Sequence, residues 1–145
     1  MAQTGTAITQ AAEELIDAFN HSDWERLRPL LAPNLVYAET GTGRRVEGQD
    51  AYFELLTGWK DAFPDVNGTI RNVVAGDDTV VQEILWEGVH SGPLQTPGGT
   101  LEPTGKHIIV EASAWYQFDG GLIREVHHHV DILTLLQQLG ALPAQ

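Results

Sequence analysis

At 145 residues, 42% of them apolar and 19% charged, the chain is long enough for one folded domain with a real core and too apolar for a disordered acidic tail. A formal net charge of −12 on only 8 Lys and Arg excludes phosphate-neutralising nucleic-acid binding and attraction to an anionic membrane surface. The lack of cysteine excludes disulfides, thiolate catalysis and Cys-based zinc sites.

Ile8, Ala11, Ala12, Leu15, Ile16 and Phe19 recur at helical spacing and predict an amphipathic helix. Ser22-Asp23-Trp24-Glu25 reads as a capping box, with Ser22 as N-cap, opening a short helix that Pro33 ends. Leu35 to Glu39 is β-like, Gly41-Thr42-Gly43 a turn, and Arg45 to Glu47 a short returning strand. A third helix is expected from Gln49 to about Phe63, stopped by Pro64.

Beyond that point the period becomes two. Strands are predicted over 67–75, 79–90, 106–118 and 122–131, with turns at Gly76-Asp77-Asp78 and Asp119-Gly120-Gly121 and a Gly/Pro/Thr-rich loop over 91–105. Leu133, Leu135, Leu136 and Leu139 suggest a short closing helix ended by Gly140. Helices followed by a run of antiparallel strands define an α+β class, in which a curled sheet and a helical cover enclose a hollow. One domain over 1–145 is expected, with 1–6 and 143–145 flexible. No basic n-region precedes an apolar stretch and no apolar run reaches the roughly 18–20 residues of a membrane span, so no signal peptide and a cytoplasmic location are expected.

The last strand carries the densest chemistry, Val126-His127-His128-His129-Val130-Asp131. Alternation puts His127, His129 and Asp131 on one face and Val126, His128 and Val130 on the other. An Asp facing a partly apolar interior gains a raised pKa and becomes an acid or base usable near neutrality. Asp131 could equally cap the helix that follows it. Gly88 within a strand suggests a bulge that re-aims His90 into the hollow; otherwise His90 is a surface residue at a loop junction. In the 106–118 strand, either the row of His107, Glu111, Ser113 and Trp115 or that of Val110, Ala112, Ala114 and Tyr116 faces inward.

Phe63-Pro64-Asp65, Val74-Ala75-Gly76-Asp77-Asp78, Gly88-Val89-His90-Ser91-Gly92, Pro103-Thr104-Gly105-Lys106, the run from Trp115 to Glu125, and Asp131 followed by Leu135-Leu136-Gln137-Gln138-Leu139-Gly140 come in an order and spacing that resembles the SnoaL-like polyketide cyclases. The resemblance spans roughly residues 10–142. It implies the nuclear-transport-factor-2-like fold, a conical α+β barrel of curved antiparallel sheet closed by N-terminal helices. It implies intramolecular aldol ring closure without a cofactor, acting on a small hydrophobic or aromatic carbonyl substrate such as a polyketide, and a homodimer.

The family's acid/base Asp on the last strand matches Asp131. An aldol closure needs a base for a carbon-bound proton and a donor for the oxygen that becomes negative. Asp131 is therefore expected as base and then acid, with His90 and His129 or His127 holding the enolate oxygen or Asp131 itself. Tyr37, Trp59, Phe63 and Trp86 are the candidate apolar wall, and His127 a candidate substrate contact. The chain departs from the family at Val89, where Thr is frequent, and at His127 and His129, where aromatics are frequent.

Other readings use the same residues. A ketosteroid-isomerase-like site would pair an Asp base with an oxyanion donor supplied by Tyr37 or Tyr116. An epoxide-hydrolase site would need an Arg, and Arg71 and Arg124 are the only ones expected in the sheet. His127-x-His129-x-Asp131 has the spacing of a metal site, although none is assigned. A non-catalytic small-ligand binder is the remaining alternative.

Overall fold

The computed structural model describes residues 2–142 apart from Pro97, the first four of them by backbone alone; Met1 and the tail over 143–145 lie outside the described residues. Helix α1 (Ala2–Asn20) buries Ile8, Ala12, Leu15, Ile16 and Phe19. It begins at Ala2, inside the stretch expected to be flexible. Ser22 is not the cap of the next helix: its φ of 53° reverses the chain, and Asp23 accepts the Arg26 amide as N-cap of α2 (Trp24–Leu27). The capping-box reading misplaced the cap by one residue because Ser22 is consumed in ending α1, its amide bonding Phe19.

Strand β1 (Leu31–Thr40) begins earlier than alternation suggested and passes through Pro33 with a register shift between Leu31 and Val36. β2 (Arg44–Glu47), α3 (Gln49–Ala62), β3 (Asn67–Ala75) and β4 (Thr79–Val89) follow as expected. The predicted loop contains a small hairpin, β5 (Leu94–Thr96) and β6 (Gly99–Leu101), then come β7 (His107–Asp119), β8 (Leu122–Val130) and α4 (Ile132–Leu139).

The main sheet has the order β2-β1-β8-β7-β4-β3. Its pairings are antiparallel except β1 with β8, which is parallel. The sheet is thus mixed, and it curves without closing into a barrel, because β2 and β3 remain its edges. Register shifts in β1, β3 and β8 supply bends. The concave face carries Val110, Ala112, Ala114 and Tyr116, which resolves the parity of β7, and α1 and α3 lie over it. Among the described residues no helix is long and apolar enough to cross a membrane.

Gly68 is required beneath Trp86, since a Cβ there would sit 2.6 Å from the indole ring. Asn20 brackets the same glycine, accepting its amide at 2.8 Å and donating to its carbonyl at 3.0 Å, which docks the end of α1 onto β3. Gly88 marks no bulge: β4 pairs with β7 without a register shift. Its missing Cβ instead lets Asp65 and Val66 approach, at 3.2 and 3.1 Å from where that atom would stand.

Helix α4 has 8 residues and would be marginal alone. Burial of Leu135 and Leu139, worth about 1.5–3 kcal/mol each, offsets the cost of ordering it. β8 ends opposite Ala112 and the Asp131 amide still bonds the Glu111 carbonyl, so residues 107–110 of β7 have an edge beyond the ladder that α4 covers. Gln138 acts there like a strand residue, accepting the Ile109 amide and donating to the Ile109 carbonyl, both at 2.8 Å. Gln138→Ala should therefore lower the unfolding free energy by about 1 kcal/mol in urea denaturation, and hydrogen exchange at the Ile109 amide should quicken.

Candidate functional site

The concave face and the helices enclose a hollow with a cavity volume of about 70 Å³. Its wall is almost wholly apolar, with Phe19, Leu56, Val110 and Ala114 among its members. Four of the expected wall residues, Tyr37, Trp59, Phe63 and Trp86, line it. So does a residue that strand parity had left unassigned, His128.

β8 presents Val126, His128 and Val130 to the hollow, and His127, His129 and Asp131 do not line it. The expected inward row is the outward one. His129 is exposed and meets Thr40 Oγ1 at 2.9 Å; His127 lies 3.5 Å from Glu125. Asp131 is exposed and caps α4, accepting the Thr134 amide at 3.1 Å and the Thr134 hydroxyl at 2.7 Å. Those hydrogen bonds hold its carboxyl below the ordinary carboxylate pKa, the opposite of the shift expected of a buried acid. Alternation reports that two rows exist; which one is buried depends on the side from which the helices cover the sheet. Among the described residues no group of three or more His, Cys, Asp or Glu is arranged to hold a metal ion.

His90 is fully buried but does not line the hollow. Its Nδ1 accepts the Thr104 amide at 3.1 Å and lies 3.0 Å from the Thr104 hydroxyl, and its ring tilts against Phe63. Its carbonyl accepts the Gly105 amide and its own amide bonds the Lys106 carbonyl. It pins the 102–106 loop to the end of β4. Burial lowers its pKa.

His128 sits in a row that crosses four strands. Glu39 of β1 and Ala114 of β7 are its direct partners, and Gln82 of β4 lies opposite Ala114. The small Ala114 leaves room beside the imidazole. Glu39 is buried, with 2% exposure, yet ionised. Its Oε2 accepts the Tyr37 hydroxyl at 2.5 Å and the Trp59 indole at 3.1 Å. Its Oε1 accepts the Thr42 hydroxyl at 2.7 Å and Arg44 Nη2 and Nε at 2.8 and 3.1 Å. Burial works to raise the Glu39 pKa; the Tyr37 hydrogen bond, the Arg44 charge and the Thr42 hydrogen bond outweigh it and hold the carboxyl below the ordinary range.

Tyr37 connects this carboxylate to His128, its Oη lying 2.9 Å from His128 Nδ1. Trp86 donates its indole N–H to His128 Nε2 at 3.3 Å. An indole N–H can only donate and a carboxylate can only accept. The network therefore assigns the His128 proton to Nδ1, donated to Tyr37, whose own proton goes to Glu39. Nε2 carries a lone pair under a long, weak hydrogen bond. Desolvation lowers the His128 pKa to about 4, with Glu39 raising it and His129 lowering it to smaller extents, so the imidazole is neutral at pH 7. Tyr37, fully occupied by Glu39 and His128, has no hydroxyl proton left for a ligand.

A family model of SnoaL-like polyketide cyclases matches residues 9–139. The chain belongs to the SnoaL-like polyketide cyclase family. Among solved structures, a Jannaschia sp. CCS1 protein assigned to the SnoaL-like polyketide cyclases superposes with a TM-score of 0.86 at 20% identity, over 97% of this chain and 96% of that one. IdmH from Streptomyces antibioticus, assigned as a polyketide cyclase, matches at 27% identity and TM-score 0.78 over 92% and 98%. An epoxide hydrolase of the LEH-like type from M. tuberculosis shares the fold at 17% identity and TM-score 0.72, over 93% and 90%. No curated protein matches the sequence.

The His128 pKa has a consequence for stability. Its folded value lies below its unfolded value, so the native state is favoured by neutral His128 above about pH 6.5 and loses that advantage as pH falls through about 4. The loss is on the order of 3 kcal/mol, and His90 adds to it in the same direction. In denaturant titrations between pH 7 and 4, His128→Gln should show a markedly flatter fall in stability than the wild-type chain.

Proposed function

We propose that this chain is a cofactor-independent cyclase that closes a ring in a small polyketide-like carbonyl compound by an aldol step, with His128 as the acid/base group. The observation that carries the reading is a neutral imidazole in the wall of an apolar hollow, its Nε2 met by one long hydrogen bond from Trp86 and its Nδ1 tied through Tyr37 to a buried carboxylate.

A proton on a carbon between two carbonyls is already acidic, so a modest base suffices. His128 Nε2 takes that proton. The enolate carbon attacks the second carbonyl of the same molecule, forming the new carbon–carbon bond, and the resulting alkoxide recovers the proton from His128. The imidazolium that exists between the two transfers is supported through Tyr37 by the Glu39 charge, much as a carboxylate supports a catalytic histidine elsewhere. Trp86, at 3.3 Å, gives up Nε2 at little cost. Apolar walls hold the chain folded and exclude water, which supplies much of the rate as effective molarity. Return of the proton to carbon rather than oxygen would make the same site an isomerase, and the product distinguishes the two.

This reading moves the acid/base role from Asp131 to His128. With a set of linear β-polyketone thioesters assayed by absorbance and mass of the product, His128→Gln should lose 10²–10⁴-fold in kcat. Asp131→Asn should retain wild-type turnover. The reverse pattern would return the role to Asp131.

Trp115, 44% exposed, and Ile109, 43% exposed, stand on the outer face of β7 and support a homodimer that covers this face. Trp115→Glu should then lower the mass in light scattering from two chains to one; a wild-type mass of one chain would refute it.

A further inference from the structure

Three tyrosines line the hollow: Tyr37, Tyr52 and Tyr116. The first is spoken for by Glu39 and His128. The other two are different. Tyr52 of α3 is 2% exposed and Tyr116 of β7 1% exposed, and neither hydroxyl has a hydrogen-bond partner among the described residues. Neither hydroxyl is enclosed on all sides: among the described residues the fully enclosed side-chain polar atoms without a partner belong to Gln82 and His90.

Their positions bear on His128. Tyr116 lies opposite Val126, and Ala114 lies opposite His128. Tyr116 and His128 are thus diagonal neighbours on the concave face, about 7–8 Å apart by ordinary sheet geometry. Tyr52 comes from the helical side, its ring 5.1 Å from that of Tyr37. The two phenols therefore line the hollow from sheet and from helix, Tyr116 on the strand next to that of His128 and Tyr52 beside Tyr37. Burial raises both pKa values above the ordinary phenol value, so both remain protonated donors at neutral pH.

We propose that Tyr52 and Tyr116 are a paired donor site for one oxygen of the ligand: a ketone oxygen on binding, and the enolate or alkoxide oxygen as charge develops. The inference rests on the hollow being the ligand site, as the cyclase reading holds, and adds that the ligand must carry an oxygen acceptor beside the carbon that His128 addresses. An isosteric hydrocarbon gains no hydrogen bond from either phenol, so it should bind less tightly than the ketone even though the wall is apolar.

The test uses two probes of one shape, cyclohexanone and methylenecyclohexane, with binding read by amide chemical shifts and the ketone also by its carbonyl stretch. In the wild-type chain the ketone should bind about tenfold more tightly than the alkene, with its stretch moved to lower wavenumber. Tyr52→Phe and Tyr116→Phe should each reduce that preference about threefold, in line with one hydrogen bond lost. The double variant should abolish the preference and the spectral shift while leaving alkene binding unchanged. Because neither substitution removes a hydrogen bond between described residues or the ring that fills the wall, both variants should melt close to the wild-type temperature, so misfolding would not imitate the result.

If the ketone preference survives in the double variant, the donor pair is wrong, and the role of His128 is judged separately by the turnover of its Gln variant. If neither probe shifts residues of the hollow, the donor pair fails together with the hollow as a ligand site. Equal affinity of both probes for the wild-type chain also overturns the pair while leaving the hollow a ligand site.

Discussion

A carboxylate buried at 2% exposure can remain ionised only if its surroundings replace the water it has lost, and at Glu39 five hydrogen bonds from four residues do so. That requirement organises one end of the fold. It draws Arg44 inward from β2 to lie over Trp59, fixes the turn after β1 through Thr42, orients the Trp59 indole from α3, and commits the Tyr37 proton. The protonation of His128 follows from this, because a Tyr37 that must donate to Glu39 can only accept from Nδ1. The tautomer, and with it the lone pair at Nε2 that Trp86 meets at 3.3 Å, is set two residues away from the imidazole. Removing Glu39 while leaving Arg44 and Tyr37 in place would strand their donors, so the group is best regarded as a unit whose members are not additive.

The second constraint is strand parity. In a sheet with one buried face, a shift of one residue exchanges the whole set of side chains presented to the core. The triple histidine of β8 makes that exchange chemically large, since His127 and His129 on one side and His128 on the other have similar character in sequence and unlike environments in space. The outward pair finds Glu125 and Thr40 near solvent, and the inward one finds an aromatic wall and a buried charge. Asp131, the residue that the family resemblance brought forward, is spent on capping α4. That helix in turn supplies Leu135 to the wall of the hollow, so Asp131 contributes to the site through the helix it starts.

Membership in the SnoaL-like polyketide cyclase family and the shared fold of proteins with different assigned chemistries sit together without conflict. The fold supplies a curved sheet, a helical cover and a hollow, and the chemistry depends on the few polar groups placed inside. In this chain the polar groups lining the hollow include the His128 imidazole and the phenols of Tyr37, Tyr52 and Tyr116, with the Glu39 carboxylate behind Tyr37. The wall around them is apolar enough that each polar group counts.

By itself the sequence determined the α+β class, four of the main strands to within a residue at most boundaries, the third and last helices, and the aromatic wall of Tyr37, Trp59, Phe63 and Trp86. These are properties of local periodicity and of side-chain size, which act over a few residues. It also held both readings of Asp131, acid and helix cap, and both rows of β7, without a local means of choosing. The tertiary structure decided those choices, because burial is a relation between a strand face and whatever packs on it. It also decided the parallel pairing of β1 with β8, which no alternation pattern records and which sets Glu39 opposite His128 from 89 positions away in the chain. No periodicity in the sequence could have joined Glu39, Tyr37 and His128, since the network depends on that single long-range register.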